Sequence, residues 1–161
     1  MSVQAKRETA PPREARHRAR RAAIQMLYQW EVGRVAMVEV TESYWLHGSW
    51  DETAGAPGAG EEIGAKVRDF ATALANGVAA NVQPIDQLIA EAAEHWRIER
   101  MAVVDRLILR LAVYEFLHEK ETPAKVIINE ALELARTFST DEAVKFINGI
   151  LDGIRRSLER E

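Results

Sequence analysis

A chain of 161 residues and 18.1 kDa, 47% apolar and 29% charged, has the size of one soluble globular domain or two small ones and can bury a core. It contains no cysteine, which excludes thiol nucleophiles, thiolate zinc sites and disulfide frameworks and fits a cytoplasmic setting; no apolar stretch approaches the roughly 18–20 residues of a membrane span, and no apolar segment follows the N-terminal arginines as a secretory signal requires. The net charge of −4 is segregated: residues 1–21 carry seven Lys or Arg against Glu8 and Glu14, and everything after them is strongly acidic. A polyanion meets one attractive end of this molecule and a basic protein meets the rest.

Residues 1–12 are polar, end in Thr9-Ala10-Pro11-Pro12 and show no periodicity, which predicts a mobile arm, with residues 13–161 forming one helical domain. From Arg13, the apolar stripe Ala19, Ala23, Leu27 and Trp30 predicts a first helix to about Val32. A weaker helix covers Ala36 to Leu46, and the glycine- and proline-rich stretch Gly48 to Gly60 predicts the longest loop. Ile63, Val67, Phe70, Leu74 and Val78 mark a long helix ending near Asn81. Pro84 suits the first turn of a short helix whose apolar face is Ile85, Leu88, Ile89, Ala92 and Trp96. Between Met101 and Leu117 apolar residues cover most of the circumference, which predicts a central helix. Pro123 opens the next, and Ser139 with Glu142 fits a capping box before a final helix with Phe146, Ile147, Ile150, Leu151, Ile154 and Leu158 inward. No stretch alternates with period 2, so the fold class is all-α with about seven helices.

Arg18, Arg21, Gln25 and Tyr28 share one side of the first helix, away from the Leu27 seam. Arginines clamp phosphates, a glutamine bonds base edges and a tyrosine ring stacks on an unpaired base, so single-stranded RNA is the natural ligand. A solubilising basic tail, with Tyr28 capping a core edge, is the competing reading. His17, His47, His95 and His118 lie in four separate segments, which predicts no metal site, and no nucleotide-binding glycine loop or strained serine motif occurs. Glu130 and Glu133 read as a solvated helix face, as do Glu99, Asp105, Glu115 and Glu142, for which a basic partner protein is the sharper alternative. Asn129, Glu130 and Asn148 read as inter-helix hydrogen-bonding groups, and Gly149 as a point of close helix approach. Neither cofactor nor catalysis is expected.

Four segments carry a family resemblance: Arg18-Ala-Arg-Arg-Ala-Ala-Ile-Gln-Met-Leu-Tyr-Gln-Trp-Glu31, Leu107-Ile-Leu-Arg-Leu-Ala-Val-Tyr-Glu115, Pro123-Ala-Lys-Val-Ile-Ile-Asn-Glu-Ala-Leu-Glu-Leu-Ala-Arg136 and Lys145-Phe-Ile-Asn-Gly-Ile-Leu-Asp152. Over about Arg16 to Gly153 the chain resembles the NusB transcription antitermination factors, departing between Val32 and Glu62, where it is longer and glycine-rich. The resemblance implies two three-helix bundles side by side behind a basic arm and no enzymatic activity. It also implies binding of boxA RNA in nascent ribosomal transcripts together with a ribosomal protein, called NusE in that role, and assembly with other Nus factors on RNA polymerase. By matching position, RNA contacts fall on Arg16, Arg18, Arg20, Arg21, Tyr28, Lys145 and Phe146, and the partner face includes Glu99, Asp105 and Glu142. The same helical unit precedes the catalytic domain of ribosomal RNA cytosine methyltransferases, but 161 residues spent on helices leave no room for a methyl-donor domain. A homodimeric helical interaction module is the third reading.

Overall fold

The computed structural model describes residues 13–46, 60–94 and 96–161. The arm assigned to residues 1–12 and all of the predicted loop except Gly60 lie outside them. Among the described residues there are seven α-helices and no strand: α1 (Arg13–Gly33), α2 (Met37–Leu46), α3 (Gly60–Ala80), α4 (Val82–Ala92), α5 (Val103–His118), α6 (Ala124–Phe138) and α7 (Asp141–Ser157), with a 3-10 turn at Ile98–Arg100 before α5. The all-α class read from the sequence therefore holds. Helices α1, α2 and α3 pack together as one bundle, and α4, α6 and α7 pack on α5 as the other. Helix α5 also contacts α1 and α3, which places it at the seam. Its sequence explains this position: Leu107, Ile108, Leu109, Leu111, Ala112, Val113 and Phe116 are all buried, and they point around the whole circumference.

Helix α1 packs on α3, and its Ala15, Ala19, Ala22 and Ala23 are buried, small side chains that favour the helix and let a neighbour approach closely. A close approach occurs at Gly77, where a Cβ would collide with the Tyr114 ring of α5. That role was expected of Gly149, which has nothing within 4 Å of the corresponding position. The cap of α7 is also displaced by one residue. Thr140, not Ser139, accepts from the Ala143 amide at 3.1 Å, while the Ser139 hydroxyl donates to Asp105 at 2.6 Å. Trp96 does not join the apolar face of α4, which ends at Ala92; it is 60% exposed.

The bundles are joined by charges as well as by apolar contacts. Arg20 of α1 is only 2% exposed, and its Nε stands 3.0 Å from both carboxylate oxygens of Glu115, with Nη2 at 2.7 Å from one of them. Glu130 of α6, also buried, lies 4.0 Å from the Arg20 guanidinium and 2.6 Å from His17 Nδ1, with Arg13 at 3.7 Å. Neither Glu115 nor Glu130 belongs to the solvated face expected of them. Burial pushes the Glu115 carboxyl above its ordinary range; the hydrogen bonds and charge of Arg20 oppose this, and Glu119 and Glu130 add to it. A second network ties the far end of α1 to α4 and α5: Glu31 accepts from Arg106 at 2.8 Å and Arg110 at 3.1 Å, and Asp86 takes Arg110 in a two-point grip at 2.8 Å. Burial works against the Arg110 charge, but the bonds and charges of Asp86 and Glu31 outweigh it and raise its pKa.

Removing Arg20 leaves two buried carboxylates facing each other, so Arg20→Ala is expected to cost about 3–5 kcal/mol at pH 7 in urea unfolding. The native variant then holds a proton on Glu115 more tightly than the unfolded chain, where the pKa is about 4.3. Its deficit therefore shrinks as pH falls toward that value and grows as pH rises above it; a deficit independent of pH would contradict this account.

Candidate nucleic-acid interface

Pinning Arg20 inward fixes the rotation of α1, and with it the direction of every other side chain on that helix. One residue on, Arg21 is exposed and its guanidinium lies 5.8 Å from the Phe138 ring centroid. A turn further, Gln25 is half-buried, and Tyr28 is 45% exposed. Arg16 and Arg18 are half-buried toward the N-terminal end, where Arg18 lines a shallow hollow with Arg13, His17 and the carboxylates of Glu14, Glu130 and Glu133. Arg20, expected among the RNA contacts, is corrected here: it sits in the interior on Glu115 and serves the fold.

Beside Gln25 and Tyr28 opens a groove of about 540 Å³, lined also by Gln29, Tyr44 of α2, Val104 of α5 and Phe138 of α6. That volume is in the range, about 300–1,000 Å³, that small ligands occupy. Tyr44 is 3% exposed, and its hydroxyl donates to Gln25 Oε1 at 2.6 Å. Burial raises the Tyr44 pKa, against a smaller opposing effect of Arg21, so the phenol keeps its proton. Tyr44 and Phe138 were not singled out from the sequence as site residues. Tyr44 lies in the weakest amphipathic pattern of the chain, and Phe138 looks like any inward residue of α6.

Lys145 and Phe146 lie on α7, in the other bundle. Lys145 is exposed, and Phe146 meets Trp96 edge-on with ring centroids 5.6 Å apart. Of the acidic residues, Glu99 is exposed in the 3-10 turn before α5, Glu142 is exposed in the first turn of α7, and Asp105, at the start of α5, is half-buried and held by Ser139. The Phe138-Ser139 corner is thus shared. Phe138 carries Arg21 and walls the groove, and Ser139 grips Asp105.

This arrangement defines a class: an all-helical binding protein in which a basic, aromatic face and an acidic face meet at one helix corner. The sequence signature of the NusB family matches residues 17–156. The transcription antitermination protein NusB of Koribacter versatilis is 41% identical over 146 residues, covering 91% of this chain and 92% of that protein. Its counterpart in Syntrophotalea carbinolica is 39% identical over 145 residues, covering 88% and 92%. Among solved structures, T. maritima NusB superposes with a TM-score of 0.72 at 36% identity, over 88% of this chain and 90% of that one. A NusB in complex with NusE and double-stranded RNA shares the fold, with a TM-score of 0.73 at 21% identity over 90% and 98% of the two chains. The chain belongs to the NusB family.

Because nearly half of Tyr28 is in solvent, Tyr28→Ala should change stability by no more than about 0.5 kcal/mol, in contrast to Arg20→Ala. Thermal melts of the two variants check this, and a Tyr28→Ala melt as low as that of Arg20→Ala would make Tyr28 a core residue.

Proposed function

We propose that this protein is a non-catalytic, cytoplasmic transcription antitermination factor that binds boxA-like single-stranded RNA of nascent ribosomal transcripts. In this reading a basic ribosomal protein acting as NusE docks beside the RNA, and the pair works with other Nus factors on RNA polymerase. The observation that carries the reading is the exposed Tyr28 ring at the mouth of an aromatic groove, on the same side of α1 as Arg21. A solubilising tail needs charge but has no use for a half-exposed ring beside a cavity. Arg16, Arg18 and Arg21 bind phosphates, Tyr28 and Phe146 offer ring faces to bases, Gln25 bonds a base edge, and Lys145 adds a charge from the second bundle. Family membership and the naming of the relatives as antitermination proteins support this assignment, as does the solved complex of a NusB with NusE and RNA.

The partner face comprises Glu99, Asp105 and Glu142, acidic groups that complement a basic ribosomal protein. In this reading Asp105, across the Phe138-Ser139 corner from Arg21, brings a basic partner beside the RNA, where it neutralises acidic surface that otherwise repels phosphate.

Titration of single-stranded RNA at several salt concentrations tests the first part. Arg21→Ala should weaken binding and lower the log-log salt slope by about 0.7 for the lost phosphate contact. Tyr28→Ala should cost about 1–3 kcal/mol with the slope unchanged. Unaltered affinity in both variants would return the basic stripe of α1 to the solubilising reading.

For the partner, Glu99→Lys with Glu142→Lys is the informative pair, since Asp105 also holds Ser139 in the fold. The double variant should lose binding of the ribosomal protein and lose the enhancement of RNA affinity that the partner confers, about 1–3 kcal/mol and equal in both directions by linkage. Calorimetry with and without saturating partner measures it, and equal RNA affinities would remove the cooperative mechanism.

A further inference from the structure

We propose that Gln25 is locked as a hydrogen-bond donor toward the groove and makes this site select bases with a carbonyl, uracil or guanine, over bases with an amino group at the same place. The inference rests on the RNA-binding reading above and adds a residue, Tyr44, that sets specificity without lying on the exposed stripe.

A glutamine amide can turn over and present either its oxygen or its NH₂ group, so an unrestrained Gln25 accepts from an amino base as readily as it donates to a keto base. Tyr44 removes that freedom. Its ring is buried, and its hydroxyl makes one hydrogen bond among the described residues, the 2.6 Å donation to Gln25 Oε1. If the amide turned over, NH₂ would face the phenol oxygen and the phenol proton would lose its acceptor inside the protein, an arrangement that proteins avoid. The elevated pKa of Tyr44 keeps that proton in place across the physiological range. The Gln25 oxygen is therefore engaged, and the NH₂ group is the part left for a ligand in the groove that Gln25 lines with Tyr28 and Phe138.

A base stacked on Tyr28 with its Watson–Crick edge toward Gln25 presents O4 if it is uracil and an amino group if it is cytosine; guanine and adenine differ in the same way at position 6. A donor meeting O4 or O6 forms a hydrogen bond. A donor meeting an amino group forms none, and a polar pair is left unmatched in a partly desolvated place.

The test is competition between short oligouridylate and oligocytidylate for the full-length protein and two variants, each with a thermal melt. The wild type should favour oligouridylate by roughly two- to tenfold beyond the ratio seen in Gln25→Ala, in which the rest of the surface sets the preference. Tyr44→Phe, which keeps the ring and frees the amide, should bring the ratio down to that of Gln25→Ala while oligocytidylate affinity holds or rises. A wild-type ratio equal to that of Gln25→Ala overturns the inference and leaves RNA binding standing. A folded Tyr44→Phe variant with the wild-type ratio overturns the lock. If the wild type binds neither oligonucleotide, the RNA-binding reading and this inference fall together.

Discussion

The interior pairing of Arg20 with Glu115 is the constraint on which the rest of the molecule depends. It sits where α1 crosses the central helix, so it fixes both the distance between the bundles and the rotation of α1. Hydrophobic contacts alone specify rotation loosely along an alanine-rich surface, because alanines differ little from one another. A guanidinium that reaches two oxygens at 3.0 Å or less has one geometry. With Arg20 inward, Arg21 points out, and Gln25 and Tyr28 follow at one and two turns on the groove side. The nearby Glu130, itself bonded to His17, gives the buried guanidinium a second carboxylate and gathers the start of α1 onto α6.

At the other end of α1 the Glu31, Arg106, Arg110 and Asp86 network performs the same service between α1, α4 and α5. Between these two anchors the groove opens, walled by residues from four helices, so its shape is a property of how the bundles meet. Asp105, at the start of α5, is coupled to the same corner through Ser139.

The helices were legible in the sequence because their apolar repeats are long and several of their breaks carry glycine or proline, as at Gly33 and Pro123; α5 was recognisable as central from its apolar circumference. The side on which Arg21, Gln25 and Tyr28 lie was legible from spacing. What spacing could not reveal is that Arg20, in a run of arginines, faces inward, since the sign that decides it is a carboxylate 95 residues away in Glu115. Of the two readings open to Glu130, a solvated face or an inter-helix hydrogen bond, the second holds, and its partner His17 lies 113 residues off. Tyr44 and Phe138 escaped notice because a groove between helices is a feature of tertiary packing. Ser139 and Thr140 both satisfy a cap by type, and the competing bond to Asp105 decides which one caps.

The central claim is that one arginine of the run holds the fold while its neighbour meets RNA. It is tested most directly by following the arginine Nε–H resonances during titration with single-stranded RNA. The Arg21 signal should move with added RNA and sharpen its salt dependence, while the Arg20 signal stays fixed and slow to exchange with solvent in both free and bound protein. An Arg20 signal that exchanges as fast as that of Arg21, or that shifts with RNA to the same extent, would contradict the account.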